Sequence, residues 1–259
     1  MNYWSQLSID YANQRNYLDD LFSVYPTIPD GIRDIEQNAW NDIQAAFNDN
    51  NDSHLFKLLL GLKLFPIKDS YIAYLRRDAS AIDRNPATIA RLCGRLKELG
   101  LDRILEKCSE PKETNRQIGP LFRRWLKKGT IGAPMVSIAD FLDNNNNAIV
   151  DASDAEMKNF AIAHFNYTRD KGLDFIGRFN GNYVIGEAKF LTDFGGHQNA
   201  QFEDGIQTVK AEVKGATAIA IYDGVCYIQG DNKLYRFIDN NSDFVILSAL
   251  VLREYLYQL

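Results

Sequence analysis

Apolar residues recur at helical spacing through the first half of the chain. One helix is predicted from Asn85–Pro86, a typical helix start, to Gly100, because apolar residues lie three or four positions apart between them: Ile89, Leu92 and Leu96. A second helix is predicted from Gly119–Pro120 to Gly129, with four apolar residues on one face: Leu121, Phe122, Trp125 and Leu126.

The opposite face of this second helix carries four cations: Arg123, Arg124, Lys127 and Lys128. Such a face can neutralise nucleic-acid phosphates, but it carries no sequence-reading information in itself. It can equally be an ordinary solvated surface, and the pattern alone leaves both interpretations open.

Short apolar segments follow the polar tract at residues 143–147. Ser153 and Glu156 have the spacing of a capping box at a helix start. Two strands, 173–179 and 183–190, are predicted around a tight turn at 180–182. The remaining predicted elements are a helix with Phe202, Ile206 and Val209 on one side, a strand at 216–222, a turn at Asp223–Gly224, strands at 225–229 and 233–237, and a mostly helical end at 244–259. This order predicts an α/β (α+β) fold, in which helices flank a mixed central sheet.

The charge is unevenly distributed along the chain. The net charge of the 259 residues is −5, yet residues 84–128 carry twelve Lys or Arg against five Asp or Glu, a local balance of +7 that leaves −12 for the rest. A protein that presents one basic surface to a polyanion has this asymmetry, and so does a helical segment with a solvated basic face.

Cysteine, histidine and apolar content narrow the function classes. Cys93, Cys108 and Cys226 are widely spaced, which favours buried thiols in a reducing cytosol, and the three scattered histidines argue against a zinc enzyme. No apolar run is long enough to span a bilayer, and the N-terminus lacks the pattern of a secretory signal. A cytoplasmic protein without a membrane partner is therefore expected.

The candidate chemistry lies on the predicted hairpin. Asp174 is in its first strand, while Glu187 and Lys189 share one face of the second strand because side chains alternate. Two carboxylates and an ammonium then converge within an apolar ribbon, where burying them is costly without a metal or partners. Two carboxylates suit Mg²⁺, which would activate a water against a phosphodiester, and the lysine would assist. The alternative is a surface hairpin with a cross-strand ion pair.

The segments Gly172–Phe175 and Val184–Lys189 resemble the PD-(D/E)xK nuclease superfamily, and within it the type II restriction endonucleases. Leu173 stands where the nominal motif has Pro, a substitution that the superfamily commonly tolerates. The resemblance continues through Phe194–Phe202 and reaches back to Glu110–Pro120. It implies that Asp174 and Glu187 bind Mg²⁺, for which Mn²⁺ can substitute, with help from the Ala188 carbonyl.

Further roles follow from the same resemblance. It makes Lys189 the catalytic lysine, and it suggests that the helix before the hairpin supplies another acidic residue, Glu156, for which the capping role is an equally good interpretation. Residues 1–150 are expected to form a mostly helical part that binds DNA and shapes its cleft, and residues 151–259 to form the nuclease core.

Several polar residues are candidates for contacting DNA. Gln198 and Gln201 share one face at a predicted helix start and can bond the backbone or an adenine edge, or simply belong to a polar helix start. Arg116 is a candidate for reading guanine. The cations of the 119–129 helix are candidates for binding phosphates.

The function expected from these residues is Mg²⁺-dependent, sequence-specific hydrolysis of double-stranded DNA that leaves 5′-phosphates. A homodimer is expected, because one chain shows one active site and both strands must be cut. The resemblance also implies a cognate DNA methyltransferase in a prokaryotic cell. Two alternatives remain: a structure-specific repair nuclease or junction resolvase on the same core, and a DNA-binding protein without catalysis.

Overall fold

The computed structural model describes residues 1–26, 31–111 and 118–259, without the side chain of His197. The helices of these residues are α1 Tyr3–Ala12, α2 Tyr17–Val24, α3 Gln37–Asn48, α4 Asp52–Gly61, α5 Ser70–Arg77, α6 Ala81–Arg84, α7 Pro86–Leu99, α8 Leu101–Cys108, α9 Ile118–Lys127, α10 Ile138–Asp143, α11 Asp154–Phe165, α12 Gly196–Val209, α13 Lys233–Asn240 and α14 Ala249–Tyr257. The strands are β1 Met135–Val136, β2 Ala148–Val150, β3 Phe175–Phe179, β4 Asn182–Leu191, β5 Ala216–Gly224 and β6 Val245–Leu247.

The chain divides into two compact units. One comprises the described residues of Pro29–Glu113 and is helical, with α3 to α8 packed around its own apolar core, which includes Leu55, Leu92 and Leu96. The other comprises the described residues of Met1–Ile28 and Thr114–Leu259 and holds the sheet. The expected boundary at residue 150 does not coincide with this division, because α1, α2 and α9, together with β1 and β2, belong to the unit that holds the sheet.

The described strands form one mixed sheet in the order β1-β2-β3-β4-β5-β6. The β2–β3 and β3–β4 pairs are antiparallel, and the β1–β2, β4–β5 and β5–β6 pairs are parallel. Apolar side chains pack on both faces of the sheet, with helices covering them. The predicted α/β class with a mixed central sheet is therefore confirmed.

The predicted hairpin is β3–β4. Asn180 and Gly181 have φ of 50° and 82°, and a two-residue hairpin turn needs such positive values at both central positions. Phe175 pairs with Gly186 and Phe179 with Asn182, so the register follows directly from the short turn. Asp174 immediately precedes β3 rather than lying within it, and its N–H donates to the Gly186 carbonyl at 3.0 Å.

The C-terminal predictions were partly wrong. The predicted turn at Asp223–Gly224 is the end of β5, because both residues still pair with β4, and the buried Asp223 side chain is hydrogen-bonded inside the protein. The predicted strand at 225–229 begins as a 3₁₀ turn. Residues 233–237 begin α13, in which Asn232 caps the helix and Leu234 and Ile238, four positions apart, are buried. The predicted helix at 244–259 starts with β6 before α14.

Other predictions agree with the structure. The apolar face of α9 is buried, and Ser153 and Glu156 form the capping box of α11. The three cysteines are free and buried, and burial raises the pKa of the Cys93 thiol to about 11. Among the described residues, none of the helices has the length and apolar content that a membrane span requires.

Candidate active site

The hairpin brings Asp174, Glu187 and Lys189 together. The Lys189 Nζ lies 2.5 Å from Glu187 Oε1 and 3.8 Å from Asp174 Oδ2. The N–H of Ala188 donates to Asp174 Oδ2 at 2.9 Å, so the backbone of β4 fixes the aspartate from the neighbouring strand. Ala188 itself is buried on the opposite face. The alternation of β4 and the register with β3 thus produce the predicted cluster.

Burial dominates the electrostatics of the two carboxylates. Glu187 is 1% exposed, and loss of solvent raises the pKa of its carboxyl, to which the charge of Asp174 adds. Burial likewise raises the pKa of Asp174, against the lowering effect of the Lys189 ammonium. Both groups are held in surroundings that disfavour their negative charge. A bound cation would relieve this cost.

The donor set fits a hard divalent cation. Glu187 Oε2 is buried and has no hydrogen-bond partner among the described residues, which is unusual for a buried carboxylate oxygen. No three His, Cys, Asp or Glu side chains converge in the described part of the chain, so the protein offers two carboxylates rather than a complete cage. Magnesium sites commonly have this form, because the ion keeps several of its waters.

The N-terminus of α11 lies beside this cluster. Glu156 Oε2 accepts the Ser153 N–H at 2.8 Å, which confirms the capping interpretation, and the catalytic role of Glu156 stays a prediction. Asp154, in the same turn, is the carboxylate whose charge contributes to raising the pKa of Asp174. Gly172 permits this approach, since a Cβ there would lie 2.8 Å from the Asp154 Cβ. Asp154 lies within the capping box that the sequence revealed, but that pattern is defined by Ser153 and Glu156 and so did not indicate Asp154.

A second charged group adjoins Glu187 and was missed from the sequence. The Lys171 Nζ lies 2.6 Å from Asp204 Oδ2 and 3.8 Å from Glu187 Oε1. Arg169 holds the other oxygen of Asp204, with Nη2 3.1 Å from Oδ1. Asp204 is on α12, more than thirty residues along the chain from Lys171. No local pattern joins the two residues, so tertiary packing alone reveals the pair.

The cationic face of α9 is partly neutralised. Arg123 and Lys127 each lie 2.8 Å from a carboxylate oxygen of Asp151, the residue that follows β2. Arg124 and Lys128 are exposed. Half of the predicted phosphate-binding set is therefore engaged within the protein, and Arg124 and Lys128 are the better candidates for DNA.

The remaining predicted DNA contacts differ in their surroundings. Gln198 is buried, and its Oε1 accepts the Thr192 N–H at 3.2 Å, so it ties the segment after β4 to the first turn of α12. Gln201 is half-buried on the same helix. Arg116 lies outside the described residues.

Comparison with known proteins identifies one family. The sequence model described as Tsp45I type II restriction enzyme matches residues 2–259, nearly the whole chain. No curated protein and no solved structure matches.

Proposed function

Since this chain belongs to the Tsp45I type II restriction enzyme family, we propose that it cuts DNA with a divalent cation held at Asp174 and Glu187. Membership of the family makes it a restriction endonuclease, a site-specific deoxyribonuclease that acts on double-stranded DNA. The observation that carries the metal proposal is Glu187 Oε2, a buried carboxylate oxygen without a partner among the described residues. Mg²⁺ is the proposed ion, and Mn²⁺ is expected to substitute.

Each residue of the cluster has a distinct proposed role. Asp174 and Glu187 hold the cation, helped by the Ala188 carbonyl, as in the PD-(D/E)xK motif. When bound, the ion polarises the scissile phosphate and lowers the pKa of water. Lys189 orients the attacking water or stabilises the charge that develops on the phosphate, because its ammonium lies within 3.8 Å of both carboxylates. The Ala188 N–H keeps Asp174 in position.

Asp154 is a second candidate, beside the predicted Glu156, for the acidic residue expected from the preceding helix. Its charge acts on Asp174, and Gly172 lets the two approach. Glu156 spends one carboxylate oxygen on the Ser153 cap. Asp154 would therefore act on the site through a water rather than as a third direct ligand.

The products and assembly belong to the same proposal. Hydrolysis is expected to leave 5′-phosphates, and a homodimer would cut both strands of a symmetric site with one active site per chain. Exposed Arg124 and Lys128 are proposed to bind phosphates, while Gln201 and Arg116 remain proposed contacts to DNA. A cognate methyltransferase would protect the host DNA.

Digestion of a long unmethylated DNA of known sequence tests the proposal. Purified protein in about 10 mM Mg²⁺ should give discrete bands with 5′-phosphate ends. The bands should vanish with a chelator and with the Lys189→Met variant. The Lys158→Met variant is the matched control, because Lys158 pairs with Asp170 and not with the cluster. Discrete bands that persist in chelator would overturn the metal proposal. A smear would favour a structure-specific or non-specific nuclease.

A further inference from the structure

Lys171 lies between two carboxylates. Its Nζ is 2.6 Å from Asp204 Oδ2 and 3.8 Å from Glu187 Oε1, so the ammonium is within ion-pair distance of both and hydrogen-bonded to one. Its side chain is 40% exposed, which leaves it room to change partners. The position of this ammonium therefore depends on how firmly Asp204 holds it.

Asp204 is itself fixed in place. The Arg169 guanidinium bonds it twice, with Nη2 3.1 Å from the Oδ1 atom and Nη1 donating to the backbone carbonyl of the same residue at 3.0 Å. Nη1 also donates to the Thr208 hydroxyl one turn later on α12. Arg169 thus pairs with one carboxylate oxygen of Asp204 and Lys171 with the other. These contacts hold the Asp204 carboxylate in place beside the site.

Glu187 presents the opposite arrangement. Its Oε1 already receives the Lys189 ammonium at 2.5 Å, while Oε2 is buried and has no partner among the described residues. A carboxylate offers about four acceptor sites, and each ammonium that bonds to it uses some of them. A second ammonium drawn fully onto Glu187 would therefore leave fewer lone pairs for a metal. It would also place a fixed positive charge next to the metal.

We propose that Asp204 is a positioning residue that holds the Lys171 ammonium away from Glu187 and so keeps the Glu187 carboxylate available to a divalent cation. The inference rests on the proposed metal site and adds to it a pair outside the Asp174, Glu187, Lys189 motif. Asp204 acts through Lys171 and does not itself bind the metal. Arg169 supports it by preventing the carboxylate from following the ammonium.

The effect of Asp204→Asn on metal affinity should depend on whether Lys171 is present. Asp204→Asn frees Lys171 to approach Glu187 and should weaken metal binding about tenfold, the size typical for residues that support metal ligands. Lys171→Met removes the competitor, so its metal affinity should equal or exceed that of the unsubstituted protein. With Lys171→Met already present, Asp204→Asn should change the affinity less than about twofold, because the residue through which it acts is gone.

Mn²⁺ binding to the full chain without DNA provides the measurement, with free Mn²⁺ followed by electron paramagnetic resonance. Circular dichroism and thermal unfolding would establish that each variant is folded. Asp170→Asn is the matched control. Asp170 precedes Lys171 in the chain and also pairs with a lysine, but that lysine is Lys158, which does not contact Glu187, and Asp170 is 95% exposed. Its Mn²⁺ affinity should be unchanged. DNA cleavage at rising Mg²⁺ gives a second readout, in which Asp204→Asn should need more metal but reach a similar maximal rate.

The outcomes separate this inference from the proposed function. If the unsubstituted protein binds Mn²⁺ and Asp204→Asn weakens binding equally with and without Lys171, Asp204 acts by its own charge or as a ligand, and the positioning role is wrong. No weakening in the single variant overturns it as well. A protein that is folded and binds no Mn²⁺ at all overturns the metal site together with this inference.

Discussion

Asp223 and Glu187 are two buried carboxylates of the unit that holds the sheet, and their hydrogen-bonding partners are of opposite kinds. Asp223, at the end of β5, is fully buried and accepts hydrogen bonds from uncharged donors: Tyr25 Oη at 2.9 Å, Ser248 Oγ at 2.5 Å and the Ala249 N–H at 3.3 Å. Glu187, on β4, is also buried, but its neighbours are the ammonium groups of Lys189 and Lys171, and one of its oxygens has no partner among the described residues.

The difference separates a carboxyl that serves the fold from one that is a candidate for binding a ligand. Burial raises the pKa of Asp223 to about 7, and its surroundings suit a carboxyl that carries a proton as well as one that does not. At Glu187 the two ammonium groups favour the charged form, while the partnerless oxygen leaves that charge incompletely compensated. A saturated buried carboxyl stabilises the protein, whereas an unsaturated one is a candidate for binding.

The largest expected effect comes from Glu187→Gln. Cleavage should fall at least about 100-fold, because one of the two proposed carboxylate ligands of the cation is removed. The free energy of unfolding should change by less than about 1 kcal/mol. The neutral amide avoids the cost of burying the carboxylate charge, and this offsets the loss of the ion pair with Lys189. Cleavage rates and urea unfolding measure the two effects. A large loss of stability would mean that Glu187 serves the fold as Asp223 does.

The reverse result is expected for Asp223→Ala. Three donors lose their acceptor inside the protein, so the free energy of unfolding should fall by about 2–4 kcal/mol. Cleavage per folded molecule at low temperature should be unchanged. Asp231→Ala is the control, because Asp231 is 90% exposed and its pair with Arg236 lies at the surface. An equal loss in the two variants would contradict the difference between buried and surface carboxylates.

The raised pKa of Asp223 predicts a pH dependence of stability. Its carboxyl favours the proton more in the folded state than in the unfolded state, so its stabilising contribution is complete below the unfolded pKa and is lost as the pH rises through about 7. Between pH 6 and 8 the loss should be roughly 1–2 kcal/mol. Asp223→Asn should lack this component. Urea unfolding of both proteins at a series of pH values tests it, and identical pH profiles would show that Asp223 does not titrate in this range.

The smallest expected effect on stability comes from Tyr25, one of the three donors to Asp223. Tyr25→Phe removes one hydroxyl donor but keeps the ring, which packs edge-on against Phe190, the residue after Lys189. Stability should fall by about 1 kcal/mol or less. Cleavage should be retained, since the ring contact is unchanged. A loss of cleavage as large as that of Glu187→Gln would connect the Asp223 cluster with the active site.

Local patterns predicted those parts of the site that neighbours in sequence create. The alternation along β4 places Glu187 and Lys189 on one face, and the tight turn at Asn180 and Gly181 sets the register that brings Asp174 beside them. The capping box and the divided face of α9 are likewise local, and both were found.

Features that depend on distant packing were not predictable in this way. Lys171 meets Asp204 only because α12 packs along β4, and Asp223 was interpreted as a turn residue because Asp-Gly is a common turn pair. The start of α13 is short and contains the aromatic residues Tyr235 and Phe237, which favour strands, so it fits a strand until Ile238 is included. These errors arise where short segments fit both periods equally well.

The close packing of Gly172 on Asp154 has a consequence for any effort to alter this enzyme. A methyl group at 172 would lie 2.8 Å from the Asp154 Cβ and 3.3 Å from its backbone, so even alanine must displace the start of α11 or the segment that leads to Asp174. An uncharged residue that takes no part in the reaction thus sets the spacing between two acidic ones. Variant libraries around the candidate site should keep glycine at this position, because a loss of activity on its replacement would reflect displaced acidic residues and not a change in the reacting groups.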